Sequence, residues 1–352
     1  MRIIKKVISF FLLHQRLIAS VVSVLLLALL VFLWLLFRQR RIRKWVEALR
    51  RAETLPTWAL AVQVRKIGEL EMAYWDLGKG KPILLVHGIG ASKFIWRKVI
   101  PLLVEKNHRV IALDLPGFGE SRVAPVNAYG LDSQVEALQS FIRALRLERP
   151  VLVGSSMGGA ISLWLAKKYP DLVGALVLVS PHVESFRIPR SLHHLFKVLK
   201  PLNRTLTAKT MEVFVRAVVS RQEFVTPDVV AAYLRPFQEN PLTWTAFGAS
   251  LQLLADRRLH HELGPLHAPC LVLFGSRDRL VRQKGMERLA KAMDCRLVIH
   301  KTGGHHLMED EPDWMAQQIL KAVEARKSVP PAPKKPIAPF RPCLPRTPRP
   351  VG

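Results

Sequence analysis

Cysteine is scarce in this chain, with Cys270, Cys295 and Cys343 the only three among 352 residues. They are odd in number and widely spaced, so neither a disulfide framework nor a thiolate metal site follows. Acid is the second shortage: 27 Asp and Glu face 53 Lys and Arg, a formal net charge of +26. Such a balance raises the question of nucleic acid. Yet no basic patch interleaved with aromatics occurs, and the cations flank an apolar run and fill a tail instead. No nucleic-acid partner is therefore expected. Internal repeats are missing as well, and no metal is expected.

What is present is sharply segregated. Residues 1–56 carry a net charge of +9 and residues 326–352 a net +7, which leaves +10 for the middle of the chain. Between the basic segment 1–16 and the basic segment 38–57 lies "LIASVVSVLLLALLVFLWLLF", residues 17–37, without a single charge. At ~1.5 Å per residue it reaches roughly 31 Å, the thickness of a hydrocarbon core. A cleavable signal peptide would have an apolar region of about 7–15 residues ending in small residues. This run is longer and meets "RQRRIRK", which predicts an uncleaved single-pass anchor. More cations follow the span than precede it, so the positive-inside rule leans toward a cytoplasmic C-terminal part. Ile42, Trp45, Val46 and Leu49 then recur at helical spacing opposite a basic face, as in a helix lying on anionic headgroups or a solvated linker helix. Residues 326–352 hold nine prolines and no acid. This tail cannot bury a core and is expected to be disordered, with a weak polyproline-type partner for "PPAPKKP" as the functional option.

From about Val62 the pattern changes to "VQVRKI" and "ELEMAYWDL" around Gly68, a hairpin. Short apolar runs then alternate with helical stretches at 83–86, 109–113, 151–154, 175–180, 270–275 and 296–300. Continuous apolar strands separated by helices predict an α/β fold with a mostly parallel sheet buried on both faces. Residues 182–255 interrupt the alternation with helical periodicity and no strand, as an inserted cap would. "LHHLFKVLKPL" and "MEVFVRAVV" within it space apolar residues three and four apart, with Lys and Arg between.

Gly154, Ser156 and Gly158 form G-x-S-x-G between a strand and a helical segment. That context lets strand and helix come close while the serine projects from a strained turn. A serine nucleophile needs a base, and the base an orienting acid. "VLFGSRDRLV" carries Asp278 into the loop beyond one strand, and "HKTGGHHLMEDEP" after the last strand offers His305 or His306. Oxyanion donors are expected from the backbone N–H of Ile89, in "LLVHGIGAS", and of Met157. His87 reads as a brace for its loop.

The motifs "HGIGASKFIW", "ALDLPGFGES", "GSSMGG", "GSRDRLV" and "GGHHLMEDEP" follow one another within residues 58–324. In this order they resemble the α/β-hydrolase superfamily, and with the preceding anchor they are similar to the membrane-anchored monoacylglycerol lipases among the α/β-hydrolase domain-containing proteins. The resemblance implies an α/β-hydrolase core in two parts, 58–181 and 256–325, around the cap. It implies Ser156 as nucleophile, Asp278 as acid and His305 as base, since His305 directly follows the glycine and keeps the usual gap to Pro312. Asp114 matches a structural loop acid. No cofactor is implied. The expected activity is cleavage of a lipid monoester, such as a monoacylglycerol, through an acyl-enzyme. The competing expectations are a small-substrate esterase, thioesterase or C–C bond hydrolase, or a non-catalytic scaffold. His305 to Asp310 also spells H-x4-D, a pattern of lysophospholipid acyltransferases, here read as coincidence.

Overall fold

A computed structural model describes residues 61–122, 129–183, 207–240 and 243–326 of the chain. The hairpin is present: β1 (Gln63–Ile67) runs antiparallel to β2 (Leu70–Leu77), with Ile67 opposite Leu70. Gly68 makes the turn at a φ of 59°, a backbone conformation that glycine adopts without steric cost. Alternation then sets in through β3 (Lys81–Val86), α1 (Val99–Val104), β4 (His108–Leu113), α2 (Leu131–Ala144), β5 (Val151–Ser155), α3 (Met157–Lys168) and β6 (Ala175–Val179). After the cap come β7 (Cys270–Gly275) and β8 (Arg296–His300).

The eight strands form one sheet in the order β1-β2-β4-β3-β5-β6-β7-β8. All pairings from β4 to β8 are parallel, whereas β2 pairs antiparallel with both β1 and β4. Every residue of β5 and β6 is buried, as their unbroken apolar runs require of central parallel strands. The edges differ: β1 is almost wholly exposed, and β8 has only exposed and partly buried positions.

Between β6 and β7 the described residues form helices joined by short connections, with no strand. The cap contains α4 (Ala208–Val218), α5 (Pro227–Glu239) and α6 (Thr243–Leu254). Thr207 and Thr226 begin the first two, each side-chain oxygen accepting a backbone N–H three residues on, and Pro227 follows at the first helical position. In α4, Met211, Val215 and Val218 are buried while Val213 is 64% exposed, so one face packs inward. The stretch "LHHLFKVLKPL" lies outside the described residues, as do the 17–37 run, the segment after it and the tail from 327. Among the described residues no helix is long and apolar enough to cross a membrane. The body closes with α7 (Arg258–His261), α8 (Gln283–Ala292), α9 (Leu307–Asp310) and α10 (Pro312–Ala325).

Linear spacing hides one proximity. Leu271 of β7 pairs with Arg296 of β8, which sets Cys270 beside Cys295. The neighbouring Cys295 thiol, with burial, raises the Cys270 thiol well above its ordinary value.

Candidate active site

β5 ends in Ser155, and the next residue, Ser156, turns the chain at φ 51° and ψ −115° before α3 begins at Met157. A non-glycine residue in this region costs of order 1–3 kcal/mol and persists only where its surroundings hold it. They do so here. The Ser156 N–H donates to Val179 O at 2.9 Å, and its carbonyl accepts from Ala160 and His182 N–H, both at 3.1 Å. The small residues have a steric reason. A Cβ on Gly154 would overlap Gly158 O and one on Gly158 would overlap His87 O, so strand, helix and the loop after β3 touch through bare backbone. Ser156 is 9% exposed, and its Oγ has no hydrogen-bond partner among the described residues.

Asp278 and His305 stand beyond β7 and β8, at the same carboxyl end of the parallel strands as Ser156. The structure joins them: His305 Nδ1 lies 2.8 Å from Asp278 Oδ2, with both side chains almost fully buried. The other carboxylate oxygen accepts the N–H of Leu280 at 2.8 Å and of Val281 at 3.0 Å. Burial by itself would raise the Asp278 pKa. The hydrogen bond and charge of His305, with the two backbone donors, more than offset this and hold it below the usual value. Gly275 permits the meeting, since a Cβ there would overlap the carbonyl oxygens of both Gly303 and Gly304.

His306 is used differently. Its Nδ1 lies 2.9 Å from the Tyr233 hydroxyl of α5, and its ring stacks on Tyr233 and on His305. Burial, then the neighbouring His305, lower its pKa to about 3, so the ring that shares this hydrogen bond with Tyr233 is neutral. No hydrogen bond joins Ser156 Oγ to either histidine; such a contact commonly tightens only when substrate binds.

Above the serine runs the loop after β3. A Cβ on Gly88 would come 3.1 Å from Ser156 Cβ. The N–H groups of Ile89, on this loop, and Met157, at the start of α3, have no acceptor among the described residues. His87 braces the loop as expected, with Nδ1 2.7 Å from Gly88 O and Nε2 accepting the Leu115 N–H at 2.9 Å. Burial lowers its pKa, consistent with the neutral ring those partners require. Asp114 bolts the next loop, taking Lys93 N and Nζ at 2.6 Å each and Glu120 N at 2.9 Å. Burial works against the Lys93 charge, but Asp114 and Glu120 outweigh it and raise its pKa. Nothing in the order of residues signals a buried lysine there.

Two cap aromatics close over the same loop. A Cβ on Gly90 would stand 3.0 Å from the Phe247 ring and 3.8 Å from Phe214. Phe247 continues into a cluster with Phe237 and Trp244, with ring centroids 5.2–6.3 Å apart.

A mostly parallel sheet, a serine elbow after its fifth strand and a helical insertion after its sixth define an α/β hydrolase. The chain belongs to that family: the model of the alpha/beta hydrolase fold matches residues 81–312. It is 29% identical over 274 residues to 2-hydroxy-6-oxo-6-(2'-aminophenyl)hexa-2,4-dienoic acid hydrolase of Metapseudomonas resinovorans, covering 74% of this chain and 90% of that one. It is 27% identical over 288 residues to monoacylglycerol lipase abhd6-B of Xenopus laevis, covering 77% and 85%. Among solved structures it is similar to a membrane phospholipase A described as a bacterial virulence factor. That similarity has a TM-score of 0.64 at 26% identity, over 85% of this chain and 98% of that one.

Proposed function

We propose that this chain is a membrane-anchored serine hydrolase that cleaves lipid monoesters, such as monoacylglycerols, through an acyl-enzyme on Ser156. The observation that carries the reading is the buried His305–Asp278 hydrogen bond at the strand end where the strained Ser156 turn also lies. His305 Nε2 takes the Ser156 proton as Oγ attacks the ester carbonyl, and the Ile89 and Met157 N–H groups hold the oxyanion. The imidazolium then protonates the departing alcohol. In the second half His305 activates water, which releases the acid and restores the serine. Asp278 keeps Nδ1–H engaged and stabilises the cation.

An apolar acyl chain is favoured by the Phe214 and Phe247 rings packed over Gly90, beside the donors for the carbonyl. The apolar run at 17–37 supports an anchor that keeps the enzyme at the surface where its substrate dissolves, with the catalytic domain on the cytoplasmic side. The similarity to a dienoic acid hydrolase favours C–C bond cleavage as the second reading. Hydrolysis of a monoacylglycerol and p-nitrophenyl ester series by wild type and Ser156→Ala tests the choice. Rising kcat/KM with chain length, abolished in the variant, is expected; turnover of acetyl esters alone, or of a dienoic ketone in preference to every ester, contradicts it.

A further inference from the structure

The histidine loop carries H-x4-D from His305 to Asp310, and the hydrolase chemistry uses only its first residue. Asp310 is 1% exposed, and its carboxylate is filled by backbone donors from two places. Oδ2 accepts the N–H of Gly304, the residue before His305, at 2.7 Å and that of Ser220 at 2.9 Å. Oδ1 accepts Ser220 N–H at 3.0 Å and Arg221 N–H at 2.9 Å. Ser220 and Arg221 follow α4 of the cap. A Cβ on Gly304 would come 2.8 Å from Ser220 N and 3.0 Å from Asp310 Oδ2, so the glycine is what lets the segments close.

Neighbouring contacts make the same join. His306 N–H donates to Val218 O at 2.8 Å, and its ring holds Tyr233 of α5. Glu309 reaches the other way, forming ion pairs with Arg97 and with Lys98, the latter at 3.2 Å, on the segment that continues from the Ile89 loop. His306, Glu309 and Asp310 therefore tie cap, histidine loop and oxyanion side together. In an H-x4-D relay Asp310 would take the Nδ1–H of His305, but that nitrogen lies 2.8 Å from Asp278 Oδ2 and the Asp310 oxygens accept backbone N–H groups instead.

We infer that Asp310 is a positioning residue that locks the cap's α4 end to the glycine preceding His305, so that the cap and His305 are set over Ser156 as one unit. The inference rests on the hydrolase reading of Ser156 and His305. Removing a buried acceptor leaves N–H groups unpaired, and the loop and the cap should loosen together.

Asp310→Asn tests this by hydrogen exchange at residues 217–222 and 303–307, and by kcat and KM on monooleoylglycerol and p-nitrophenyl acetate. Exchange in both segments should quicken roughly 10–100-fold. kcat should fall about tenfold or more on both esters, while KM rises for the long-chain ester alone. If Asp310→Asn does not fold, Ser220→Pro, which deletes one donor and keeps the carboxylate, should show the same pattern more weakly. Unchanged exchange, or kcat within about twofold of wild type on both esters, overturns the inference. So does loss of acyl transfer from acyl-CoA to a lysophospholipid with hydrolysis intact. Faster exchange in the variant, with a wild type that hydrolyses neither ester, would uphold the lock and reject the hydrolase reading, so the two failures are distinguishable.

Discussion

Acid should loosen the join between cap and histidine loop through one residue, His306. Its folded pKa of about 3 lies below the ordinary histidine value because the ring is buried and faces His305. Protonation therefore favours the unfolded chain. The stability held by the neutral ring is fully present above about pH 6.5 and is lost as pH falls from there toward 3. At pH 4.5, two units below the unfolded value, the loss is about 3 kcal/mol. Asp278 titrates below its ordinary carboxylate range, so its contribution survives at this pH. In a domain of this size about 3 kcal/mol is worth roughly 5–10 °C in Tm. His306→Asn keeps an acceptor for the Tyr233 hydroxyl and removes the titration. Thermal melts of both proteins at pH 7.5 and 4.5 should show wild type losing about 5 °C more than the variant. Equal losses would refute the assignment of the acid sensitivity to His306.

Other substitutions probe the site and its roof. Asp278→Asn keeps the shape but not the charge or the acceptor pattern, and kcat should fall about 10⁴-fold with the far-ultraviolet spectrum unchanged. Phe247→Ala removes a ring that lies over Gly90. Its KM for long-chain monoesters should rise several-fold, with p-nitrophenyl acetate nearly unaffected, as a steady-state chain-length series would show.

Strands β3 to β7 are legible because parallel strands inside the sheet are buried on both faces and read as apolar runs, β8 from its short apolar run at the edge, and the G-x-S-x-G turn because only small residues allow its backbone contacts. The edges of the interior were less so. A buried Lys93 becomes comprehensible only once Asp114 and Glu120 surround it. Spacing left His305 and His306 open, and their partners, Asp278 and Tyr233, separate them. The Asp310 lock had no signal of its own, since its partners are backbone N–H groups that any sequence would supply. Cys270 and Cys295 needed the strand register before they could be seen as neighbours.

The most direct test of the central claim is reaction of the full chain with a fluorophosphonate, followed by mass mapping of the adduct. A single adduct on Ser156, absent from Ser156→Ala and slowed in His305→Ala more than in His306→Ala, is the expected result. Labelling that persists in Ser156→Ala, or a native protein that takes up no probe, would contradict it.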